Sequence, residues 1–395
     1  MNVMLIETLG DGGIAHYTYN LANALVKKGE DVILFTTRRY EFSTENCRYR
    51  LYPRMFRLAD RLINCFPSLD SETGFFKYLR RTIKLLEYPL NVVDAVLIAK
   101  KEKIDVIHLQ SVNETELLMV SALAFTGAKI VYTVHNVIPR HGRLRLYHRI
   151  IYRFIFFMCN HIIVHTESGK REIMALFGVK PGKISVIPHG DYKFFVPSGI
   201  LSKVNSKELL GIPMDSRVML FFGAIRPNKG LDRLLYALSH IKKIVPNIKL
   251  MIVGEPCEDF SRYRSIIREE SIEDIIFEKL EYVINKMVSI YFMACDLVVL
   301  PYYEVTGSGV LQIAYAFGKP VVATDVPGFR EAIIESKNGY LVSPNDIAEL
   351  ATRIIDILKD DEKAYKMGKY SKYLSDTIYS WDSIATSTLK LYCQI

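Results

Sequence analysis

Short apolar runs alternate with segments of helical periodicity along the whole chain, and the same alternation recurs in both halves. The predicted strands are residues 3–6, 32–36, 106–109, 130–134, 162–165 and 186–188 in the first half, and residues 218–223, 249–253, 275–277, 297–300, 321–324 and 339–342 in the second. Continuous apolar strands separated by helices are typical of parallel sheets covered by helices on both faces. The sequence therefore predicts an α/β protein with two doubly wound, Rossmann-like parallel-sheet domains.

The joint between the predicted domains is the irregular stretch 188–213, which contains both Gly and Pro. We place the first domain at residues 1–190 and the second at residues 191–374. A chain of 395 residues is long enough for two domains that each bury a core. Ligands of such sheets bind beyond the carboxyl ends of the strands, so two domains facing each other are expected to form a site in the cleft between them.

The start of the chain is strand-like, and the longest apolar segment, residues 150–164, is interrupted by polar residues. Neither a signal peptide nor a membrane-spanning helix is therefore expected. The six cysteines lie far apart and form no CxxC pair, as is typical of reduced thiols. These features predict a cytoplasmic protein.

The positive charge of the chain is concentrated in the first half. Residues 1–197 hold 27 Lys and Arg against 18 Asp and Glu, a net charge of +9, whereas the whole chain carries +8. Two segments, 54–66 and 144–158, combine arginines with an apolar stripe that in the second segment includes Tyr147, Ile150 and Phe154. Either helix alone is typical of a solvated surface. Together they favour a peripheral enzyme on an anionic membrane surface, and no nucleic-acid-binding motif is present.

The stretch EVTGSGVLQIAYAFGKPVVATD, residues 304–325, predicts a loop, a buried helix, a turn and a buried strand. The main-chain N–H groups of Gly307, Ser308 and Gly309 are expected at the start of the helix, where the helix dipole favours an anion such as phosphate. Glu304 can accept hydrogen bonds from sugar hydroxyl groups. A Gly-x-Gly turn by itself is more often only a tight connection, so it needs a second element beside it.

That second element is FFGAIRPNKGLDRLLYAL, residues 221–238, in which Arg226 and Lys229 lie between a predicted strand and an amphipathic helix. Two cations at the carboxyl end of a strand match a diphosphate, because each charge-assisted hydrogen bond contributes about 1.5 to 3 kcal/mol. The alternative is a solvated loop with incidental positive charge.

Several stretches together resemble the retaining, nucleotide-sugar-dependent glycosyltransferases of the GT-B fold, the fourth sequence family, also called glycosyl transferases group 1. The stretches are RPNKGLDRLL, EVTGSGVLQIAYAFGKPVVATDVPGF, GDGGIAHYTYNLANALVKKGEDV, TVHN, ISVIPHGDY and SWDSIA. They cover nearly the whole chain, and their combination is specific although each is weak alone. The resemblance implies the GT-B fold, with the segment 375–395 returning to the first domain.

The resemblance also implies roles for individual residues of the second domain. Arg226 and Lys229 would bind the donor diphosphate, and Glu304 would hold hydroxyl groups of the transferred sugar. The remaining donor-site residues would be Gly307, Ser308, Gly309, Val310 and Gln312. The chain departs from the family pattern twice: Gln312 replaces the second glutamate, which bonds the ribose, and Ala224 replaces an arginine whose part Arg226 would take.

The resemblance implies a hexosyl transfer with retained configuration, in which a nucleoside diphosphate sugar serves as co-substrate and no metal or other cofactor is required. The acceptor is expected to be a glycan or a lipid-linked molecule, in the synthesis of cell-surface polysaccharide or glycolipid. The nucleotide base, the sugar and the linkage stay open.

In the first domain, the glycines of GDGGIA and a histidine after a predicted strand are candidate site residues. The resemblance places Gly12 and Gly13 beside the donor or the acceptor. His135 follows the strand 130–134, and a neutral imidazole there can bond a sugar or a phosphate. A histidine that only caps a loop is the simpler alternative, and His108 and His189 are given no catalytic role.

Two other functions remain possible at this point. An NADP-dependent oxidoreductase would use the same glycines together with Arg38 and Arg39, although the acid that normally binds ribose is absent and Thr36 lies near its place. A non-catalytic GT-B binding subunit is the second alternative, because of Ala224 and Gln312.

Overall fold

The structure, a computed structural model, describes residues 1–42, 47–65, 74–110, 114–135, 145–197, 199, 201–305 and 307–395. The strands are β1 (Asn2–Ile6), β2 (Asp31–Thr37), β3 (Arg50–Met55), β4 (Val106–Leu109), β5 (Lys129–Val134), β6 (His161–Val164), β7 (Ile184–Val186), β8 (Arg217–Phe222), β9 (Ile248–Val253), β10 (Ile276–Lys279), β11 (Leu297–Leu300), β12 (Val321–Thr324) and β13 (Gly339–Val342). The α-helices are α1 (Gly12–Lys27), α2 (Arg57–Cys65), α3 (Gly74–Lys101), α4 (Glu116–Leu123), α5 (Leu146–Met158), α6 (Glu167–Phe177), α7 (Lys203–Leu209), α8 (Leu231–Ile244), α9 (Ser261–Glu269), α10 (Asn285–Ala294), α11 (Gly309–Ala316), α12 (Pro327–Arg330), α13 (Ile347–Leu358), α14 (Asp361–Asp376) and α15 (Trp381–Tyr392).

The chain divides into two compact units. Unit 1 contains Met1–Pro188 and Trp381–Ile395, and unit 2 contains His189–Ser380. The returning segment thus begins at Trp381 and not at Ser375. The reason is that Leu374 and Tyr379 pack against the core of unit 2, which keeps the end of α14 and the following turn in that unit.

Within its described residues, unit 1 has a parallel sheet in the order β3-β2-β1-β4-β5-β6-β7. Helices α2 to α6 cover one face of this sheet, where their apolar side chains form a buried core with the strands. Helices α1 and α15 cover the other face and pack against each other. The last helix of the chain therefore completes the core of unit 1.

Within its described residues, unit 2 has a second parallel sheet, in the order β10-β9-β8-β11-β12-β13. Buried cores lie on both faces, one with α8, α9 and α13 and the other with α10, α11 and α12. The twelve strands predicted from apolar runs are all present, which confirms two doubly wound parallel sheets. In both sheets the loops that follow the strands converge at the carboxyl edge, where ligands of such folds bind.

The strand β3 was missed in the sequence because it is not a continuous apolar run and only Met55 of it is fully buried. It lies at the edge of the sheet beside β2, has exposed side chains and contains Pro53 and Arg54. Proline and basic residues are typical of edge strands, which they protect from pairing with other chains. The predicted basic helix of residues 54–66 consequently begins only at Arg57, and its end at Phe66 lies outside the described residues.

The second basic segment is a helix, α5, and only part of its predicted apolar stripe faces the core. Ile155 is buried and Ile151 and Met158 pack against the core, whereas Tyr147, Ile150 and Phe154 of the same stripe are exposed. The start of the stripe at Leu144 lies outside the described residues. Among the described helices, none combines the length and the apolar composition needed to cross a bilayer.

Candidate functional site

The two loops singled out in the second half follow neighbouring strands of the unit 2 sheet, β8 and β11. They touch directly, because the main-chain N–H of Tyr303 donates to the carbonyl oxygen of Asn228 at 2.9 Å. Gly230 has a φ of +65°, and a Cβ atom on it would lie 2.0 Å from the carbonyl oxygen of Pro301. Only glycine therefore fits at the crossing of the two loops.

Lys229 ends a short 3₁₀ turn, Pro227–Lys229, directly before α8. Its ammonium nitrogen Nζ lies 3.6 Å from the centre of the Tyr302 ring, which is a cation–π contact. Burial, and secondarily the guanidinium of Arg226, lower the pKa of Lys229 to about 7. No acidic group is among the causes that shift the pKa of Lys229 in the described part of the chain, so an anion would supply the missing negative charge.

Arg226 is half-buried and stands immediately before the same turn, so both predicted cations lie at the carboxyl end of β8. The main-chain N–H of Lys229 donates to the carbonyl oxygen of Arg226 at 2.9 Å, which closes the turn. Ala224, at the place of the family's arginine, is also half-buried. Arg226 and Lys229 thus lie at the same turn.

The second loop leads into the N-terminus of α11. The hydroxyl of Ser308 caps this helix by accepting the N–H of Leu311 at 3.3 Å, so the side chain of Ser308 is used within the protein. A Cβ atom on Gly309 would lie 3.1 Å from the hydroxyl oxygen of Tyr192. Gly307 is exposed and has open space around its Cβ position. Glycine leaves the first main-chain N–H groups of α11 open to a ligand here.

The side chain of Val310 joins the two halves of the candidate site. Its Cγ2 atom lies 3.4 Å from the position of a Cβ atom on Gly223, a glycine with a φ of +101° directly after β8. Gly223 is in turn crowded against Gly254, the residue after β9. Close main-chain packing therefore brings the ends of β8, β9 and β11 together at this edge.

Glu304 and Gln312 lie on opposite sides of the helix N-terminus in the sequence and differ sharply in exposure. Glu304 is exposed, whereas Gln312 is only 4% exposed. The side-chain oxygen Oε1 of Gln312 has no hydrogen-bond partner among the described residues. A buried polar atom without a hydrogen bond destabilises the folded protein by about 1 to 3 kcal/mol. A hydroxyl group of a ligand that donates to Oε1 of Gln312 would remove this unfavourable free energy.

Two aromatic residues of this site were not singled out from the sequence, Tyr192 and Tyr302. Both are buried. The ring of Tyr192 also stacks on His189 with 5.5 Å between the ring centres. Tyr192 ends the stretch ISVIPHGDY that carried part of the family resemblance, and this was the available signal.

In unit 1, the glycine loop after β1 is held in place by hydrogen bonds to the buried carboxylate of Glu7. Glu7 accepts the N–H groups of Leu9 and Gly10 at 2.7 and 2.8 Å and the hydroxyl of Thr36 at 3.0 Å. Burial raises the pKa of Glu7. The end of β2 therefore holds the loop in place through Thr36, and does not present the acid that a dinucleotide-binding protein would use for ribose.

The predicted glycines of this loop differ in their surroundings. Gly12 has a φ of +72°, and its N–H donates to the carboxylate of Glu41 at 3.2 Å, while Gly13 is exposed on the first turn of α1. Arg39 lies near Asp60, with 3.9 Å between its Nε and Oδ1. The exposed Arg38 is the other basic residue of the oxidoreductase alternative.

His135 is half-buried at the carboxyl end of β5, as predicted. Its Nδ1 lies 3.0 Å from Nε2 of His165 and its Nε2 lies 3.2 Å from Oε1 of Gln110. His108 is different, because it is fully buried between Tyr392 and Thr133, each at 2.6 Å, and burial lowers its pKa to about 3. Its role is structural.

The described residues contain no group of three or more His, Cys, Asp or Glu that could hold a metal ion.

Comparison with known proteins agrees with this geometry. The family model described as Glycosyltransferase Family 4 matches residues 11–190, and the model described as Glycosyl transferases group 1 matches residues 202–373. A curated relative, D-inositol 3-phosphate glycosyltransferase of Corynebacterium efficiens, is 28% identical over 239 residues, which are 59% of this chain and 56% of the relative. The match thus spans little more than half the length of that relative.

Solved structures have the same fold over the whole chain. HepE of Anabaena, in complex with UDP and glucose, has a TM-score of 0.76 at 18% identity and covers 100% of both chains. Sucrose-phosphate synthase of Thermosynechococcus elongatus has a TM-score of 0.73 at 19% identity and covers 100% of this chain and 98% of its own. These findings confirm the resemblance: the chain belongs to the group 1 glycosyltransferases and has their GT-B fold.

Proposed function

We propose that the protein transfers a hexosyl group from a nucleoside diphosphate sugar to a glycan or lipid-linked acceptor. The observation that carries this proposal is the contact between the loop of Lys229 and the loop that begins α11. A cation and a set of free main-chain N–H groups meet there, and a diphosphate matches both. The donor is therefore assigned to unit 2.

The departing diphosphate gains negative charge as the bond to the sugar breaks, and this is the step that needs stabilisation. Lys229, Arg226 and the N-terminus of α11 supply positive charge that is already in place before the reaction. Removal of one such group from an active site commonly costs on the order of 100- to 1000-fold in turnover. Because these groups belong to the protein, we propose that no metal ion is required.

Two further residues are assigned to the donor. The exposed carboxylate of Glu304 binds hydroxyl groups of the sugar, and the unpartnered Oε1 of Gln312 accepts a hydroxyl hydrogen of the ribose. An amide can perform the same role as the family's glutamate without a charge. HepE was crystallised with UDP and glucose, so UDP-glucose is the first donor to test.

We propose retention of configuration at the transferred carbon, with attack from the face that the diphosphate leaves and with a phosphate oxygen taking the acceptor proton. Family membership supports this proposal. Nuclear magnetic resonance of the first product formed from an α-linked donor decides it, since an α-linked product is expected and a β-linked product would reject it.

Unit 1 is assigned to the acceptor, with Gly12, Gly13 and His135 at its carboxyl edge. The acceptor is lipid-linked in this proposal because the outer surface of unit 1 is both apolar and basic. Helices α3, α4 and α5 pack side by side on one face of the sheet. Large apolar side chains exposed on this layer include Leu86 at 75%, Phe125 at 84%, Leu146 at 74% and Phe157 at 78%. We call this set the apolar surface of unit 1.

Charge favours an anionic bilayer as the partner of the apolar surface of unit 1. Arg149 and Arg153 on α5, and Arg145 directly before it, are exposed among these apolar side chains. Each basic residue close to an anionic membrane contributes about 1 kcal/mol, and the buried apolar side chains add to this. A role in the synthesis of cell-surface polysaccharide or glycolipid on the inner face of a cytoplasmic membrane follows from such docking.

The oxidoreductase alternative loses its support, because the end of β2 uses Thr36 to hold Glu7 and the chain belongs to a glycosyltransferase family. A non-catalytic subunit would lack transfer and hydrolysis of the donor. The experiment is a thermal-shift screen of UDP-, GDP- and ADP-sugars, followed by a transfer assay with the donor that binds. A donor at 100 times its dissociation constant stabilises the protein by about 2.7 kcal/mol. No stabilisation by any of these donors rejects the proposed function.

A further inference from the structure

His135 has a hydrogen-bonded neighbour in unit 1, His165. The two residues follow neighbouring strands of the unit 1 sheet, β5 and β6. Nε2 of His165 lies 3.0 Å from Nδ1 of His135, and Nδ1 of His165 lies 3.0 Å from the main-chain oxygen of Ile187. The residues form a chain that begins at a main-chain carbonyl and ends at His135.

The direction of each hydrogen bond in this chain follows from the carbonyl. A carbonyl oxygen can only accept, so Nδ1 of His165 carries the hydrogen. In the neutral ring Nε2 of His165 then holds a lone pair and accepts from Nδ1 of His135. Neutral His135 therefore carries its hydrogen on Nδ1 and has its lone pair on Nε2.

Gln110 faces that lone pair. Its Oε1 lies 3.2 Å from Nε2 of His135, and its Nε2 has no hydrogen-bond partner among the described residues. Gln110 is fully buried. The lone pair of His135 favours a hydrogen-bond donor on this side, such as the amide of Gln110 after a rotation or a hydroxyl group of a ligand. An ionised phosphate oxygen only accepts and cannot take this place.

Aromatic packing holds both imidazole rings in this arrangement. Tyr17 is fully buried, and its ring centre lies 4.8 Å from that of His135 in an edge-on contact and 5.2 Å from that of His165. The indole of Trp381 also packs edge-on against Tyr17, with 5.1 Å between the ring centres. Packing fixes the orientation of an imidazole ring, whereas the position of its hydrogen depends on the partners of its two nitrogens. His165 is the partner of one nitrogen of His135.

We propose that His165 is a positioning residue for His135: it keeps the hydrogen of neutral His135 on Nδ1, so that Nε2 of His135 is the nitrogen that accepts from a hydroxyl group of the sugar substrate. The identity of that substrate rests on the proposed function, whereas the position of the hydrogen does not. His165 itself is not assigned a contact with the substrate.

The test is nitrogen-15 nuclear magnetic resonance of the histidine side chains in the full chain at a pH where both rings are neutral. The expected spectrum has His135 and His165 in the form with hydrogen on Nδ1. In His165→Phe, His135 is expected to change toward the form with hydrogen on Nε2. The matched control is His161→Phe, which removes an imidazole at the other end of β6, one that bonds to Ser185. A wild-type His135 with its hydrogen on Nε2 overturns the proposal.

Kinetics add a second readout. His165→Phe is expected to lower turnover on the order of 10- to 100-fold, because a misplaced group near the reacting atoms costs about this much. The dissociation constant for the nucleoside diphosphate alone is expected to stay unchanged. His165→Gln restores an acceptor toward Nδ1 of His135 and is expected to recover most of the turnover. Loss of diphosphate affinity, or no recovery by a folded Gln variant, contradicts the proposal.

The two readouts also separate this proposal from the proposed function. If the wild-type protein binds no sugar nucleotide and transfers no sugar, the proposed function fails, while the spectrum still decides where His135 carries its hydrogen. If His165→Phe does not fold, the wild-type spectrum and the Gln variant decide it.

Discussion

The ammonium nitrogen of Lys229 lies 3.6 Å from the centre of the Tyr302 ring, and these residues come from the loops after β8 and β11. The contact places a cation between two adjacent strands at the carboxyl edge of the unit 2 sheet. Aromatic faces attract cations without neutralising them. The charge of Lys229 therefore stays available to a diphosphate.

The first prediction concerns pH. Burial and Arg226 lower the pKa of Lys229 to about 7, so the free protein loses this positive charge as the pH rises above that value. A bound diphosphate favours the charged lysine and raises its pKa, so binding is accompanied by proton uptake between the two values. The affinity for the nucleoside diphosphate is expected to fall by up to about tenfold per pH unit in that range.

Calorimetry of nucleoside diphosphate binding between pH 6 and pH 9 measures this effect. Repeating the titration in buffers of different ionisation enthalpy gives the number of protons taken up on binding. Lys229→Met removes the titrating group and is expected to give a flatter profile. A wild-type affinity that is constant from pH 6 to pH 9 would show that Lys229 is not the group that holds the diphosphate.

A second prediction concerns the buried amide of Gln312. Gln312→Leu removes the unpartnered Oε1 and is expected to stabilise the ligand-free protein by about 1 kcal/mol. The same change removes the hydrogen bond assigned to the ribose and is expected to weaken nucleotide binding. Thermal unfolding with and without nucleotide measures both effects, and stronger nucleotide binding by the Leu variant would contradict the assignment.

A third prediction uses two glycines with nearly the same backbone angle. Gly230 has a φ of +65° and Gly178 has a φ of +67°, but only a Cβ on Gly230 meets a neighbour, the carbonyl oxygen of Pro301 at 2.0 Å. Gly178→Ala is expected to cost about 1 kcal/mol for its backbone conformation. Gly230→Ala is expected to cost clearly more, because the two loops must separate.

Unfolding in denaturant measures the two losses, and transfer activity is measured alongside. Separation of the loops is expected to reduce turnover in Gly230→Ala and to leave it normal in Gly178→Ala. Equal losses of stability in the two variants would mean that the loops are not in contact.

A fourth prediction concerns membrane docking by the apolar surface of unit 1. The protein is expected to float with vesicles that contain anionic lipid at low salt and to be released as the salt concentration rises, because the arginines are screened. Leu86→Glu combined with Phe157→Glu is expected to abolish flotation. Tyr365→Glu is the matched control, since Tyr365 is 70% exposed in unit 2. Binding that is insensitive to salt, or that the control weakens equally, would reject docking through this surface.

The sequence was sufficient for the parts of the fold that depend on local pattern. Strands such as Leu297–Leu300 are continuous apolar runs. A strand that is buried on both faces shows this pattern regardless of which strands lie beside it. The glycine loops and the cations beside them were also visible, because both lie within a few residues of a strand. The family resemblance joined these pieces into one site.

The parts that the sequence did not predict depend on contacts between distant residues. Tyr302 is a cation partner only because β11 lies beside β8, and His165 orients His135 only because β6 lies beside β5. The strand Arg50–Met55 was missed because an edge strand needs no apolar face. Spacing alone also cannot tell which side chains of the apolar stripe of α5 face the core and which face solvent.

The central claim is that the diphosphate of the donor is held by Lys229 beside the N-terminus of α11. The most direct test is the dissociation constant, measured by calorimetry near pH 6.5, of the nucleoside diphosphate selected by the screen, for the wild type, Lys229→Ala and the exposed control Lys243→Ala. A charge-assisted hydrogen bond of about 1.5 to 3 kcal/mol predicts that Lys229→Ala binds roughly 10- to 150-fold more weakly, while the control binds normally. Equal affinity of the wild type and a folded Lys229→Ala variant would contradict the account.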